Sequence, residues 1–362
     1  MKKRFIALIM SACMLSMSLA GCEDSAGAQK AEDTPEPAQT AQTIETPAPT
    51  EAPAPTEAAA ELEKSDVLVR IGGLSGPTSM GMVKLMEDSA NGETYGKYEF
   101  SELSTDASAF VAPITKGELD IAMVPSNLAS VLYNKTEGGV KVLAANVTSV
   151  LNIVERGESI KSVGDLKGQK IYATGQGAVP EYTLRHILKK NDIDPDKDVE
   201  IQWCGDTTEA LSYVTKDTAA IAMLPQPFVT VAGSKVEGLR VALVLGNEWN
   251  SIESTPQITG TIVVRADFLA ENPEAVELFL KEYEASYKFV TEETDEAAEL
   301  IAKFGIVPAA PIAKAALPEC NLSFITGADL EAALSNYLQV LFEENPQAVG
   351  GKVPESDFYY GN

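Results

Sequence analysis

Two nearly identical stretches lie one hundred positions apart in the chain. Leu119-Asp120-Ile121-Ala122-Met123-Val124-Pro125-Ser126-Asn127 is an apolar run closed by a proline and polar residues, and Ala219-Ala220-Ile221-Ala222-Met223-Leu224-Pro225-Gln226-Pro227 repeats it. The lead-ins also match, Thr115-Lys116-Gly117 against Thr215-Lys216-Asp217. Each run has the length and apolar continuity of a fully buried strand, and a proline cannot continue a central ladder. Two copies are too few for a solenoid, which needs at least three repeats to bury a continuous core. They suffice for two similar lobes. The expectation is therefore an α/β chain of two lobes, each a mostly parallel sheet covered by helices, with the repeated strand ends facing each other across a cleft.

The N-terminus reads as an export signal. Met1-Lys2-Lys3-Arg4 is basic, Phe5 to Leu15 is apolar but too short to span a bilayer, and Leu19-Ala20-Gly21-Cys22 has the form of a lipoprotein box. Residues 1–21 are then removed and Cys22 carries lipid; an ordinary signal peptide that contains a cysteine is the plainer alternative. Residues 22–64 are rich in Ala, Pro, Thr and Glu, with almost no large apolar side chain. Such a stretch cannot bury enough surface to offset its ordering entropy, and its Pro-rich repeats suit an extended tether. The lobes occupy the rest, with 65–147 and 261–362 in the first and 148–260 in the second. The chain would cross between them near Val147-Thr148 and Gly260-Thr261.

Net charge narrows the partners. The chain carries −25 overall, and roughly −20 of that falls beyond residue 64. A field of that sign repels nucleic acid and disfavours a highly charged anionic ligand unless local donors override it. Beyond Cys22 the cysteines are Cys204 and Cys320, both in apolar surroundings, which favours two free buried thiols over a disulfide.

Catalytic readings fail in turn. The single histidine, His186, sits inside a predicted helix, so a His-based triad or His-rich metal site is excluded. Gly175-Gln176-Gly177 follows a strand and opens a helix, but Pro180 stands where a dinucleotide fingerprint needs its third glycine. No cofactor or metal is expected. What remains is a set of polar loops at strand C-termini leading into helices, the place where open α/β sheets bind ligands. The candidate ligand-binding residues are Ser75, Thr78 and Ser79 after the first strand, Thr105 after the second, and Ser126 and Asn127 after the first repeat strand. Thr174, Gln176 and Gly177 follow in the Gly-rich loop, with Gln226 after the second repeat strand. Helix capping is the ordinary role for any one of the Ser and Thr residues. Trp249, in a loop spanning Gly246 to Thr259, would stack on a flat ligand; Trp203, within a strand, reads as core.

These features together resemble a known family. The lipobox, the tether and the paired lobes, with Lys116-Gly117-Glu118-Leu119-Asp120-Ile121-Ala122, Ser162-Val163-Gly164-Asp165-Leu166-Lys167-Gly168-Gln169-Lys170, Gly175-Gln176-Gly177 and Val263-Val264-Arg265-Ala266-Asp267-Phe268-Leu269-Ala270-Glu271-Asn272-Pro273, resemble extracytoplasmic solute-binding proteins of ABC importers. The likeness is to the nitrate/sulfonate/taurine branch, which also covers thiamine-pyrimidine precursor binders. It implies a Venus-flytrap mechanism and no enzymatic activity: a monomer closes its lobes on a small solute and presents it to an ABC permease. In that branch the loop after the second repeat strand often carries Trp, an acid and Pro. Here it reads Leu224-Pro225-Gln226-Pro227, so the features that suit sulfonate or nitrate are missing, and a neutral or aromatic heterocyclic ligand is expected ahead of a small oxyanion. A sensor lobe signalling to a partner protein remains an alternative. A synthase related to the thiamine-pyrimidine enzymes would require an active-site histidine and a cysteine cluster that the chain lacks.

Overall fold

The computed structural model describes residues 63–361. Chain contacts divide the protein into Met1–Ala59 and Ala60–Asn362, and the described residues fall in the second unit. The signal, Cys22 and the tether lie outside the described residues.

Among the described residues eleven strands form two sheets. In chain order they are β1 (Leu68–Gly73), β2 (Lys97–Phe100), β3 (Ile121–Pro125), β4 (Val140–Val147), β5 (Leu151–Glu155), β6 (Lys170–Ala173), β7 (Glu200–Trp203), β8 (Ile221–Pro225), β9 (Arg240–Val244), β10 (Gly260–Arg265) and β11 (Leu322–Ile325). The spatial orders are β11-β4-β10-β3-β1-β2 and β7-β6-β8-β5-β9.

The repeated strands, β3 and β8, take equivalent places. Each has a parallel neighbour on one side, β1 or β6, and an antiparallel neighbour on the other, β10 or β5. The registers match as well. Ile121 faces Val264 and Pro125 faces Gly260, while Ile221 faces Glu155 and Pro225 faces Leu151. The two-lobed α/β expectation holds: four of six strands in the first sheet and four of five in the second run the same way, with β10 and β11 reversed in the first and β5 in the second. For β5 the reason is the short crossing. β4 ends at Val147, at the same edge as Pro125, and β5 begins at Leu151. A link of residues 148–150 reaches about 10 Å at most. It cannot return to the far end of a sheet, so the strand it feeds must start at the cleft and run away from it. β10 likewise begins at the cleft, where Gly260 lies beside both Pro125 and Val147.

That second crossing occupies residues 253–259 and ends at Gly260. The two crossings are bonded to each other, with the Thr259 N–H donating to the Val147 carbonyl at 3.0 Å. They are also bonded to the residues that follow the repeats: the Ser126 N–H donates to Thr259 O at 3.1 Å and the Gln226 N–H to Val150 O at 2.9 Å. A third strap comes from Asn321, whose carbonyl accepts from the Thr148 N–H at 3.1 Å and whose amide donates to Ser149 O at 2.7 Å.

Helices cover both sheets, and the C-terminal helix Gly327–Glu344 serves both. Its Leu334, Leu338 and Leu341 share one buried cluster with Leu132 beside the first sheet and with Leu184 and Leu188 beside the second. Phe358 and Tyr359 of the C-terminal tail are buried against Tyr133 and each other.

Three local expectations are corrected. Ser79 does not cap a helix; a short helix starts earlier, at Pro77–Met80, and a second runs Val83–Asn91. The expected Gly246–Thr259 loop begins as a helix, Leu245–Ile252, because Leu245 and Trp249 are buried and Gly246 packs directly on the first crossing. A Cβ at Gly246 would lie 1.8 Å from Ser149 Oγ, so close approach and not a turn requires glycine there. Finally, Cys320 is a buried free thiol as expected, whereas the free thiol of Cys204 is partly exposed at the end of β7. Among the described residues no helix is long and apolar enough to cross a membrane.

Candidate functional site: the cleft between the sheets

A cavity of about 710 Å³ lies between the strand ends of the two sheets. On the first side it is walled by Leu74–Thr78 after β1, by Thr105, Ala107 and Ser108 after β2, and by Pro125, Asn127 and Leu128 after β3. On the second side it is walled by Ala178–Pro180 after β6 and by Pro225–Phe228 after β8. The crossings form its floor through Val147, Val150, Leu151 and Thr259. All five loops chosen from the sequence contribute to it.

Individual residues divide. Ser75, Thr78, Thr105, Asn127 and Gln226 line the cavity. Ser79 and Ser126 do not: both are fully buried behind it. Ser79 Oγ donates to Leu74 O at 2.8 Å and stands where a Cβ on Gly73 would come within 2.3 Å, so it braces the loop after β1. Ser126 Oγ donates to Ile258 O at 2.6 Å and ties the first repeat to the second crossing. Thr174 is half-buried, Gln176 and Gly177 are exposed, and that loop reaches the cavity only through Ala178–Pro180.

Trp249 is the clear correction. It is wholly buried, its indole N–H donates to Thr255 O at 2.9 Å, and its ring packs at centroid distances of 5.0 Å from His186 and 5.2 Å from Tyr337. It therefore has no free face for a ligand. It is a core residue that seats the C-terminal helix on the second sheet.

The sequence reading missed one wall. Gly305, Ile306 and Pro308, in the turn after helix Thr294–Lys303, close one side of the cavity. The following helix, Ala310–Ala316, packs against helix Phe228–Lys235 of the other side. The only local signal is a Gly and a Pro that mark a turn; its place over the cleft is set by distant packing.

No lining residue is charged. The polar groups are hydroxyls and two amides. Gln226 is the most constrained: its Oε1 accepts from the Thr230 hydroxyl at 2.9 Å and the Thr230 N–H at 3.3 Å, which caps helix Phe228–Lys235 and leaves the amide nitrogen as the end available to a ligand. Asn127 has only a long bond, Nδ2 to Ala348 O at 3.5 Å. Beside the cavity, Asp106 accepts from the Ser108 hydroxyl and the Ser108 N–H, both at 2.9 Å, and these bonds hold its carboxyl below the usual carboxylate range. Among the described residues no cluster of His, Cys, Asp or Glu has the arrangement of a metal site.

A chain with two mirrored α/β halves, short crossings and an uncharged cleft at the strand ends has known counterparts. Residues 101–317 match the model of a family described as ABC transporter, phosphonate, periplasmic substrate-binding protein. The chain belongs to this family. A Brucella abortus protein named only as a binding protein is 24% identical, over 66% of this chain and 72% of its own length. Among solved structures, an ABC transporter protein from Parabacteroides distasonis superposes with a TM-score of 0.68 at 20% identity, covering 81% of this chain and 99% of that one. The periplasmic aliphatic sulphonate binding protein SsuA from Escherichia coli gives 0.64 at 17% identity, covering 81% and 96%. The SsuA of Xanthomonas axonopodis, solved with MOPS, gives 0.58 at 12% identity, covering 80% and 94%. The fold is thus that of periplasmic binding proteins. The family is one of ABC-importer solute-binding proteins that work outside the cytoplasm and bind substrates for transport, which agrees with the family expected from the sequence.

Proposed function

We propose that this protein captures a small organic solute between its two lobes and delivers it to an ABC permease, working as a monomer anchored to the cell membrane by lipid on Cys22. The supporting observation is the cavity itself. It is built from corresponding loops of two matched sheets and floored by the crossings, so a ligand filling it touches both halves. Such a ligand favours whichever arrangement brings the halves together, which is how binding biases a two-lobed molecule. Its volume lies in the range of sites for drug-sized molecules. The lipobox and the Pro-rich stretch supply the anchor and the tether.

Thermal denaturation of the full-length protein against a metabolite library tests the binding. A true ligand at about a hundredfold excess over its Kd adds about 2.7 kcal/mol of stability. Filling the cleft from either side, with Ala107→Trp or Ala178→Trp, should abolish that gain while leaving the unliganded protein folded. A ligand whose effect survives both substitutions binds elsewhere and contradicts the proposal. Mass spectrometry of the protein's N-terminal peptide from membranes tests the anchor: acylated Cys22 is expected, and an unmodified chain that begins at another residue contradicts it.

A further inference from the structure

Proteins that hold oxyanions without a counter-charge do so with unpaired N–H groups at helix starts, where the helix dipole is positive. This cleft faces several helix starts, and most are already satisfied from within the chain. The turn Ala107–Phe110 begins at Asp106, whose carboxylate takes the Ser108 N–H and hydroxyl. Before helix Val179–Lys190 the Gly177 N–H is held by the Glu181 carboxylate at 2.7 Å, which puts a negative charge in the first turn. At helix Phe228–Lys235, Gln226 Oε1 takes the Thr230 N–H. The first N–H of helix Ser126–Lys135 donates to Thr259 O, and no side chain caps that helix. Of the five helix starts on the cleft, two therefore carry a carboxylate of the chain's own, those at Pro77 and Ser126 have no side-chain cap, and no lysine or arginine lines the cavity to offset the acids.

The walls point the same way. Leu74, Val111, Leu128, Val150, Leu151 and Phe228 all face the cavity, and Phe228 is one of the few large apolar side chains of the described residues left exposed, at 40%. Moving an ionised group into such a site costs several kcal/mol unless charge or donors meet it. Burying apolar surface there is favourable at about 25 cal/mol per Å².

Resting on the cleft reading above, we infer that the solute is uncharged and largely apolar, with a neutral hydrogen-bond acceptor to meet the Gln226 amide and the first turn of helix Ser126–Lys135, and is not a phosphonate or sulfonate. The family's description and the sulfonate-binding neighbours name anionic solutes for those proteins. This chain keeps their fold, but no cation lines its cleft, and the carboxylates of Asp106 and Glu181 take up N–H groups beside it.

A matched pair of dyes tests this on the full-length protein. Phenylnaphthylamine is neutral, and anilinonaphthalenesulfonate is the same ring system carrying one sulfonate; both brighten in apolar sites. The neutral dye is expected to bind at least about tenfold more tightly. Asn127→Lys, which places a cation on the wall, should bring the two affinities close to parity. A sulfonated dye that binds as tightly as the neutral one, with both lost on Ala107→Trp and Ala178→Trp, overturns the solute class and leaves the cleft standing. So does a preference that Asn127→Lys does not change. Dye binding that persists in both cleft-filling variants overturns the cleft reading itself.

Discussion

Asn127 and Gln226 stand at corresponding ends of the repeat, yet their substitutions should behave differently. Asn127 makes one long bond at 3.5 Å, so Asn127→Ala should weaken solute binding by about 1 kcal/mol and leave the urea midpoint nearly unchanged. Gln226→Ala should weaken binding too, but it also removes the cap of helix Phe228–Lys235 and should cost about 1 kcal/mol of stability. Equal stability of the two variants would show that the capping bonds contribute little. A second residue-scale prediction concerns acid. Glu155 is buried beside Arg240; burial pushes its carboxyl up, but bonds from the Ser159 hydroxyl and the Ile160 N–H, with the Arg240 charge, more than offset this and hold it below its ordinary value. A depressed folded value stabilises the fold above the unfolded value of about 4.3 and is lost as pH falls through the folded one. The urea midpoint should therefore drop as pH falls below about 5, and Glu155→Gln should flatten that drop and lower the midpoint at neutral pH. A variant that keeps the full acid slope would assign it to other carboxylates. At this scale the sequence was only partly legible. Loop membership predicted which segments reach the cleft. It could not separate Ser126, turned back to Ile258, from its neighbour Asn127, because a single backbone step decides which side chain faces inward.

Elements were more legible than residues. The repeat strands, their closing prolines and helix Val179–Lys190 with Pro180 in its first turn follow from apolar runs and proline chemistry. Helix Leu245–Ile252 was not legible, since Gly246 and Asn247 read as loop residues; burial of Leu245 and Trp249 overrides that local preference. Strand β11 was missed as well. It is a short, half-buried edge strand, defined only by its pairing with β4. The C-terminal helix matters most here. Tyr337 packs its ring on Trp249, and its hydroxyl lies 3.2 Å from Thr183 Oγ1 and 3.4 Å from Gln257 Nε2 of the second crossing. Tyr337→Phe keeps the ring and removes the hydroxyl, so it should cost about 1 kcal/mol, read from chemical denaturation. A neutral substitution would mean that the helix is held on the second sheet by apolar packing alone.

For the whole molecule, the offset of one hundred residues proved to be structural: β3 and β8 occupy matched positions with matched registers, and each sheet has a reversed strand, β10 or β5, immediately after a crossing. The reversal of β5 was not legible, because the sequence does not show that so short a crossing forces the next strand to start at the cleft. What decides function at this scale is whether a solute occupies the space between the sheets. Native mass spectrometry of the full-length protein, purified gently from its own cells, reads this directly. A bound small molecule of one defined, uncharged composition is predicted in the wild type and is predicted to be absent from both Ala107→Trp and Ala178→Trp. The same adduct retained in both folded variants would contradict the account.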